Sequence, residues 1–130
     1  MKILLAEDDV DDQSLFHEFL HHRADIALMP VAENGVILIE TLEQISNDEH
    51  LPQLIILDQN MPKRNGLQTL QLLKANNRYA HIPVMMYSTY TDQQLINKGS
   101  QMGAAVITSK PITKDGYNQM IDSFLEAILK

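Results

Sequence analysis

The chain contains no cysteine, which removes a disulfide framework, a cysteine-based zinc site and a thiol nucleophile together. No apolar run approaches the roughly 18–20 residues of a membrane span. Met1-Lys2 leads straight into a strand-like run rather than a signal peptide. There is no Walker-type glycine loop, internal repeat, low-complexity tract or linker. Basic residues are also few, 10 against 17 acidic ones, for a net charge of −7. That balance argues against a nucleic-acid grip and suits a basic partner or a bound cation. These absences lead to the expectation of a cytoplasmic protein.

What remains is ordinary globular material. At 130 residues, 45% of them hydrophobic, the chain has the size of one domain and can build a core without staples. The expectation is a single domain over residues 1–130, with no output domain behind it. Its acid is unevenly placed: Glu7, Asp8, Asp9, Asp11 and Asp12 crowd into six positions directly after the apolar run Ile3-Leu4-Leu5-Ala6. Like charges packed so closely need full solvation or a cation.

Short apolar runs alternate with amphipathic stretches five times. The runs predict strands over Lys2–Ala6, Ile26–Ala32, Gln53–Leu57, Pro83–Tyr87 and Ala105–Thr108. Helices are predicted over Asp11–Ala24, Gly35–Ile45, Gly66–Asn76, Asp92–Met102 and Lys114–Leu129, with Thr91 and Thr113 as N-caps. Continuously apolar strands such as Leu54-Ile55-Ile56-Leu57 indicate a sheet covered on both faces. Alternation then implies right-handed crossovers and an α/β, doubly wound, five-stranded parallel sheet with five helices. Pro30 lies inside the second predicted strand, where proline fits only at an edge or bulge, and this selects the strand order 2-1-3-4-5.

In such a sheet, ligands bind beyond the carboxyl ends of the strands at the topological switch point. Glu7 and Asp8 follow strand one, Asp58 follows strand three, Ser88-Thr89 end strand four, and Lys110 follows strand five. Several carboxylates in one crevice call for a hard, oxygen-loving cation, for which magnesium is the natural choice. A carboxylate can also act as a nucleophile toward phosphorus, with a metal, a lysine and a hydroxyl to stabilise the transferred oxygens.

Together, Glu7-Asp8, Leu57-Asp58-Gln59-Asn60-Met61-Pro62 with Gly66, Ser88-Thr89 and Lys110-Pro111 resemble the receiver domain of two-component response regulators, across essentially the whole chain. The resemblance implies a flavodoxin-like fold, with Asp58 as phosphoacceptor. It implies Mg2+ held by Glu7, Asp8, Asp58 and the Asn60 backbone carbonyl, Ser88 as the hydroxyl that turns toward the phosphoryl group, and Lys110 as its cationic partner. The implied donor is a sensor histidine kinase or a histidine phosphotransfer protein. Output would pass through protein contact on the 92–129 face, leaving room for a phosphorylation-dependent homodimer. No catalysis is expected beyond self-phosphorylation and dephosphorylation at Asp58.

Some residues stand apart from that pattern. Asp9 reads as a helix-start acid. Ile107 occupies the place, three before the lysine, where such domains usually carry an aromatic residue. Tyr87 and Tyr90 flank Ser88 and read as core or rim packing. Gln59, Asn60 and Tyr90 are positioned to shape water access. Gly99 weakens its helix by roughly 1 kcal/mol relative to alanine and eases its movement. Two competing readings are a phosphate-independent receiver-like docking module and a zinc metallopeptidase. The latter rests on His17-Glu18-Phe19-Leu20-His21, which matches H-E-x-x-H but has no third ligand in view.

Overall fold

A computed structural model of the chain describes residues 1–129. The strands are β1 (Lys2–Ala6), β2 (Ala27–Leu28), β3 (Leu54–Asp58), β4 (Val84–Ser88) and β5 (Val106–Ser109). The helices are α1 (Val10–Leu20), α2 (Gly35–Glu43), α3 (Gly66–Ala75), α4 (Gln93–Gln101) and α5 (Lys114–Leu129), and a 3-10 turn over Asp48–His50 lies in the polar loop before β3. All strand pairs are parallel, in the order β2-β1-β3-β4-β5.

The two-residue alternation of side chains along the strands divides the core into two layers. Leu4, Ile55, Leu57, Val84 and Met86 face α2 and α3, where they meet Leu38, Leu42, Leu70 and Leu73. Ile3, Leu5, Ile56, Met85 and Tyr87 point the other way, onto Phe16 and Leu20 of α1 and Tyr117, Ile121 and Phe124 of α5. Burial on both faces explains why the central strands are apolar without a break.

Boundaries moved in informative ways. Strands three, four and five each lie one residue later than predicted, so Asp58 and Ser88 belong to the ladder itself, paired with Tyr87 and Ser109 in register. Strand two is much shorter than Ile26–Ala32. Pro30 cannot donate to the ladder, so pairing stops at Leu28 and resumes only as a single bridge from Ala6 to Ala32. α1 ends at Leu20 rather than Ala24: the Arg23 N–H closes a tighter turn onto the Leu20 carbonyl at 3.0 Å, and the Arg23 guanidinium pairs with Asp25 and Asp122, each at 2.8 Å. The cap of α4 is Asp92, whose carboxylate accepts from the Leu95 N–H at 2.8 Å, and not Thr91. Thr91 instead shares a 2.7 Å hydrogen bond with the Ser109 hydroxyl. Thr113 does accept from the Gly116 N–H at the start of α5.

Candidate functional site

The switch point lies between β1 and β3, and the ladder bonds continue past the strand ends to organise it. Glu7 N–H donates to the Ala32 carbonyl, Gln59 N–H to the Tyr87 carbonyl and Lys110 N–H to the Ser88 carbonyl, each at 2.9 Å. The chain then turns sharply at Lys63, which sits in the left-handed region at φ 65°, a conformation that costs energy for a residue with a Cβ. It enters α3 through a capping box in which Asn65 and Gln68 exchange side chain-to-backbone bonds. The helix starts hard against β3: a Cβ on Gly66 would lie 2.9 Å from the Asp58 carbonyl oxygen.

Asp58, Glu7 and Ser88 are buried, Asp8 is exposed, and Lys110 reaches in from the rim. Glu7, Asp8 and Asp58 can each present a carboxylate oxygen within 4.8 Å of the others. Asp58 uses its two oxygens differently. Oδ1 accepts from the Asn60 N–H at 3.0 Å, whereas Oδ2 is buried and accepts no hydrogen bond. The Lys110 ammonium stands 3.3 Å from Oδ2 as an ion pair without hydrogen-bond alignment. A buried carboxylate oxygen left this way is costly unless a cation completes it. The donor set is all oxygen and rich in carboxylate, so the residues fit a hard divalent cation.

Glu7 is the most constrained group. Its Oε1 accepts from the Tyr87 hydroxyl and lies 3.1 Å from Lys110 Nζ, and its Oε2 accepts from the Asp9 N–H at 3.1 Å. Burial is the main force on its carboxyl, and the neighbouring Asp58 adds to it; together they outweigh Tyr87 and the Asp9 N–H and push Glu7 up to about 8. Burial and the Glu7 charge likewise hold the Tyr87 phenol far above its usual value, so it remains a donor. Burial alone would lower Lys110, but its bond to Asp12 and the charges of Asp58 and Glu7 keep it protonated.

The expected residues therefore meet in one crevice. Ser88 at present donates to the Asn60 side-chain oxygen at 2.9 Å and accepts weakly from the Tyr90 N–H at 3.3 Å. Gln59 does not face the crevice: its side chain accepts from the Leu67 N–H at 2.9 Å and braces α3. Asp9 is the N-cap of α1, accepting from the N–H groups of Asp11 and Asp12. Tyr90 is largely exposed. Gly99 also has a packing role that the sequence reading lacked. It is the buried residue of α4, and a Cβ there would lie 2.2 Å from Ile107 Cδ1, so α4 rides directly on β5.

Two residues acquire roles that sequence reasoning did not assign. Tyr87 is core packing, as its apolar surroundings suggest, but its hydroxyl is spent on Glu7. Asp12 holds the Lys110 ammonium at 2.8 Å. Helical spacing from the Asp9 cap could have pointed to Asp12 as the acid facing the crevice, whereas nothing local marks Tyr87.

The metallopeptidase reading fails. His17, Glu18 and His21 are exposed on the outer face of α1, and the His21 Nδ1 is engaged with the Glu18 carbonyl at 2.8 Å. Among the described residues, the acid and histidine group placed to hold a metal is Glu7, Asp8 and Asp58.

The parallel 2-1-3-4-5 sheet is the doubly wound fold, with an acidic crevice at its switch point; comparison with known proteins narrows the class. The response regulator receiver domain pattern matches residues 3–122, and the chain belongs to that family. It is 28% identical over 94% of its length to a probable C4-dicarboxylate response regulator from Priestia megaterium. It is 32% identical over 93% of its length to a protein-glutamate methylesterase/protein-glutamine glutaminase from Trichodesmium erythraeum. The chain spans about half of the first of these relatives and a third of the second. Among solved structures, the Mn2+-bound response regulator Rcp1 superposes with a TM-score of 0.80 at 29% identity, covering 95% of this chain and 93% of that one. The phosphorylated cyanobacterial phytochrome response regulator RcpA gives 0.82 at 25% identity, over 99% and 94% of the two chains. The chain is thus a phosphoacceptor domain of two-component signalling.

Proposed function

We propose that Asp58 accepts the phosphoryl group, delivered from a phosphohistidine on a sensor histidine kinase or a histidine phosphotransfer protein. The observation that carries this reading is Asp58 Oδ2, a buried carboxylate oxygen with no hydrogen-bond donor, facing a lysine within the three-carboxylate cluster. Its free lone pair forms the new O–P bond as the P–N bond breaks, and the electron pair of that bond returns to the imidazole nitrogen. Glu7, Asp8, Asp58 and the Asn60 backbone carbonyl are the groups that would hold Mg2+; when bound, it neutralises the carboxylates and offsets charge on the phosphoryl oxygens.

The rest of the response belongs to the chain's own residues. Lys110 pairs with one phosphoryl oxygen, and Ser88 leaves Asn60 to donate to another. Because Tyr90 N–H rests on the Ser88 hydroxyl, that rotation loosens the β4–α4 loop, and the change passes to α4, β5 and α5. Output then proceeds through protein contact on the 92–129 face, including contact with a second phosphorylated copy. Activity of the domain itself is confined to gain and loss of the Asp58 phosphoryl group, and the site of action is cytoplasmic.

The test is intact mass after incubation with a small phosphodonor, with and without Mg2+, for the wild type and Asp58→Asn. A magnesium-dependent gain of one phosphoryl group in the wild type alone supports the reading. No gain under any condition overturns it in favour of the phosphate-independent docking module.

A further inference from the structure

The lysine that serves the crevice is not aligned on the phosphoacceptor. Its shortest contact, and a hydrogen bond of good length, runs 2.8 Å to Asp12 Oδ2 on the first turn of α1. Glu7 Oε1 lies 3.1 Å away, and the buried Asp58 Oδ2 lies 3.3 Å away without hydrogen-bond alignment. Asp12 is itself fixed. Its N–H is held by the Asp9 cap at 3.0 Å, so the first turn of α1 sets where the carboxylate stands, and its side chain is only 25% exposed. Asp11, its neighbour in sequence, is capped by the same Asp9 oxygen at 2.8 Å but lies on the exposed side of the helix.

Building on the reading of Asp58 as phosphoacceptor, we infer that Asp12 is a positioning residue that holds Lys110 back from Asp58 in the resting domain. This contact keeps the Lys110 N–H groups from aligning on Asp58 Oδ2, so that the lysine does not tie up the lone pair that attacks phosphorus. It also opposes the phosphorylated state, because Lys110 must give up Asp12 to reach a phosphoryl oxygen. The acid therefore sets the balance between resting and phosphorylated states without touching phosphoryl donor or metal. The effect is specific to this carboxylate: a general excess of negative charge at the crevice would make Asp11 and Asp12 equivalent.

The two can be separated with beryllofluoride, a non-hydrolysable phosphoryl mimic, titrated in saturating Mg2+ into wild type, Asp12→Ala, Asp12→Asn and Asp11→Ala. Asp12→Ala should bind the mimic about fivefold to tenfold more tightly than wild type, the worth of one partly exposed charge-assisted hydrogen bond. Asp12→Asn should fall between, and Asp11→Ala should stay within about twofold. In the metal-free proteins the 15N resonance of Lys110 Nζ should move in both Asp12 variants and remain in place in Asp11→Ala. Equal tightening in Asp11→Ala and Asp12→Ala, or a Lys110 resonance indifferent to Asp12, overturns the inference. Absence of mimic binding by every protein, wild type included, overturns the phosphoacceptor reading and the inference with it. Normal wild-type binding with no gain in Asp12→Ala overturns the inference alone.

Discussion

At Glu7 burial decides the outcome with help from Asp58, against Tyr87, Lys110 and the Asp9 N–H, which favour the carboxylate. Because the folded-state value lies near 8 against the usual 4.5, the metal-free fold binds the Glu7 proton more tightly than the unfolded chain does. This group's contribution to stability is therefore greatest below about pH 4.5 and declines as pH rises toward 8. A cation must displace the same proton, so Mg2+ affinity should climb between pH 6 and 8, as measured by calorimetric titration; an affinity flat across that interval contradicts it. Tyr87→Phe keeps the ring packed against Phe16, whose centroid is 5.6 Å away, and removes only the hydroxyl that orients Glu7. Mg2+ should then bind about tenfold more weakly, the usual worth of an outer partner to a ligand. Unchanged affinity would reduce Tyr87 to packing. The acids and the lysine of the crevice were legible in the sequence because each ends a recognisable apolar run. Tyr87 was not, since its hydroxyl matters only once β4 is laid beside β3 and its ring faces α1 with Glu7 alongside.

Among the elements, α3 sits closest to the chemistry, and Gly66 is what allows it. A methyl at that position meets the Asp58 carbonyl oxygen and the Met86 methyl at 2.9 Å, and the Gln59 Cα at 3.0 Å. Two of these are backbone atoms and cannot swing aside. Gly66→Ala should therefore cost about 2 kcal/mol despite the better helix propensity of alanine, and should disturb Asp58 as α3 is pushed outward. Urea denaturation measures the first effect, and a change within about 0.5 kcal/mol would contradict it. Element types and order were readable because helix and strand periods differ and the central strands carry no polar break. The limits of individual elements were less readable. Pro30 announced an edge strand, yet not that pairing would collapse to Ala27–Leu28, because the ladder lost at one proline depends on partners far away in sequence. Asp92 took the α4 cap from Thr91 because the better acceptor stood one residue on, leaving Thr91 to bond Ser109 across the β5 end.

Across the whole molecule, the sheet separates two apolar layers, and the crevice touches both: Glu7 reaches the α1–α5 side through Tyr87, while Ser88 opens toward α4. α4 buries little besides Gly99 and lies against Ile107, so it is the helix with the fewest buried residues and the weakest hold on the core. An isoleucine at that position cannot swing a polar tip between environments, and the close Gly99–Ile107 contact instead ties any shift of β5 to α4. Lys110→Ala should retain the fold by circular dichroism and still take up the phosphoryl group. The amide shifts that phosphorylation induces in α4 and β5 should largely vanish, whereas wild-type shifts in the variant would remove Lys110 from the coupling. Signalling through this crevice turns on the identity of one oxygen-bearing side chain. Borohydride reduction of the phosphorylated protein converts an aspartyl phosphate to homoserine, and peptide mass then reports where it formed. The predicted result is homoserine at position 58 alone, dependent on Mg2+ during phosphorylation; homoserine at Asp8 or Asp12, with Asp58 unmodified, would contradict it.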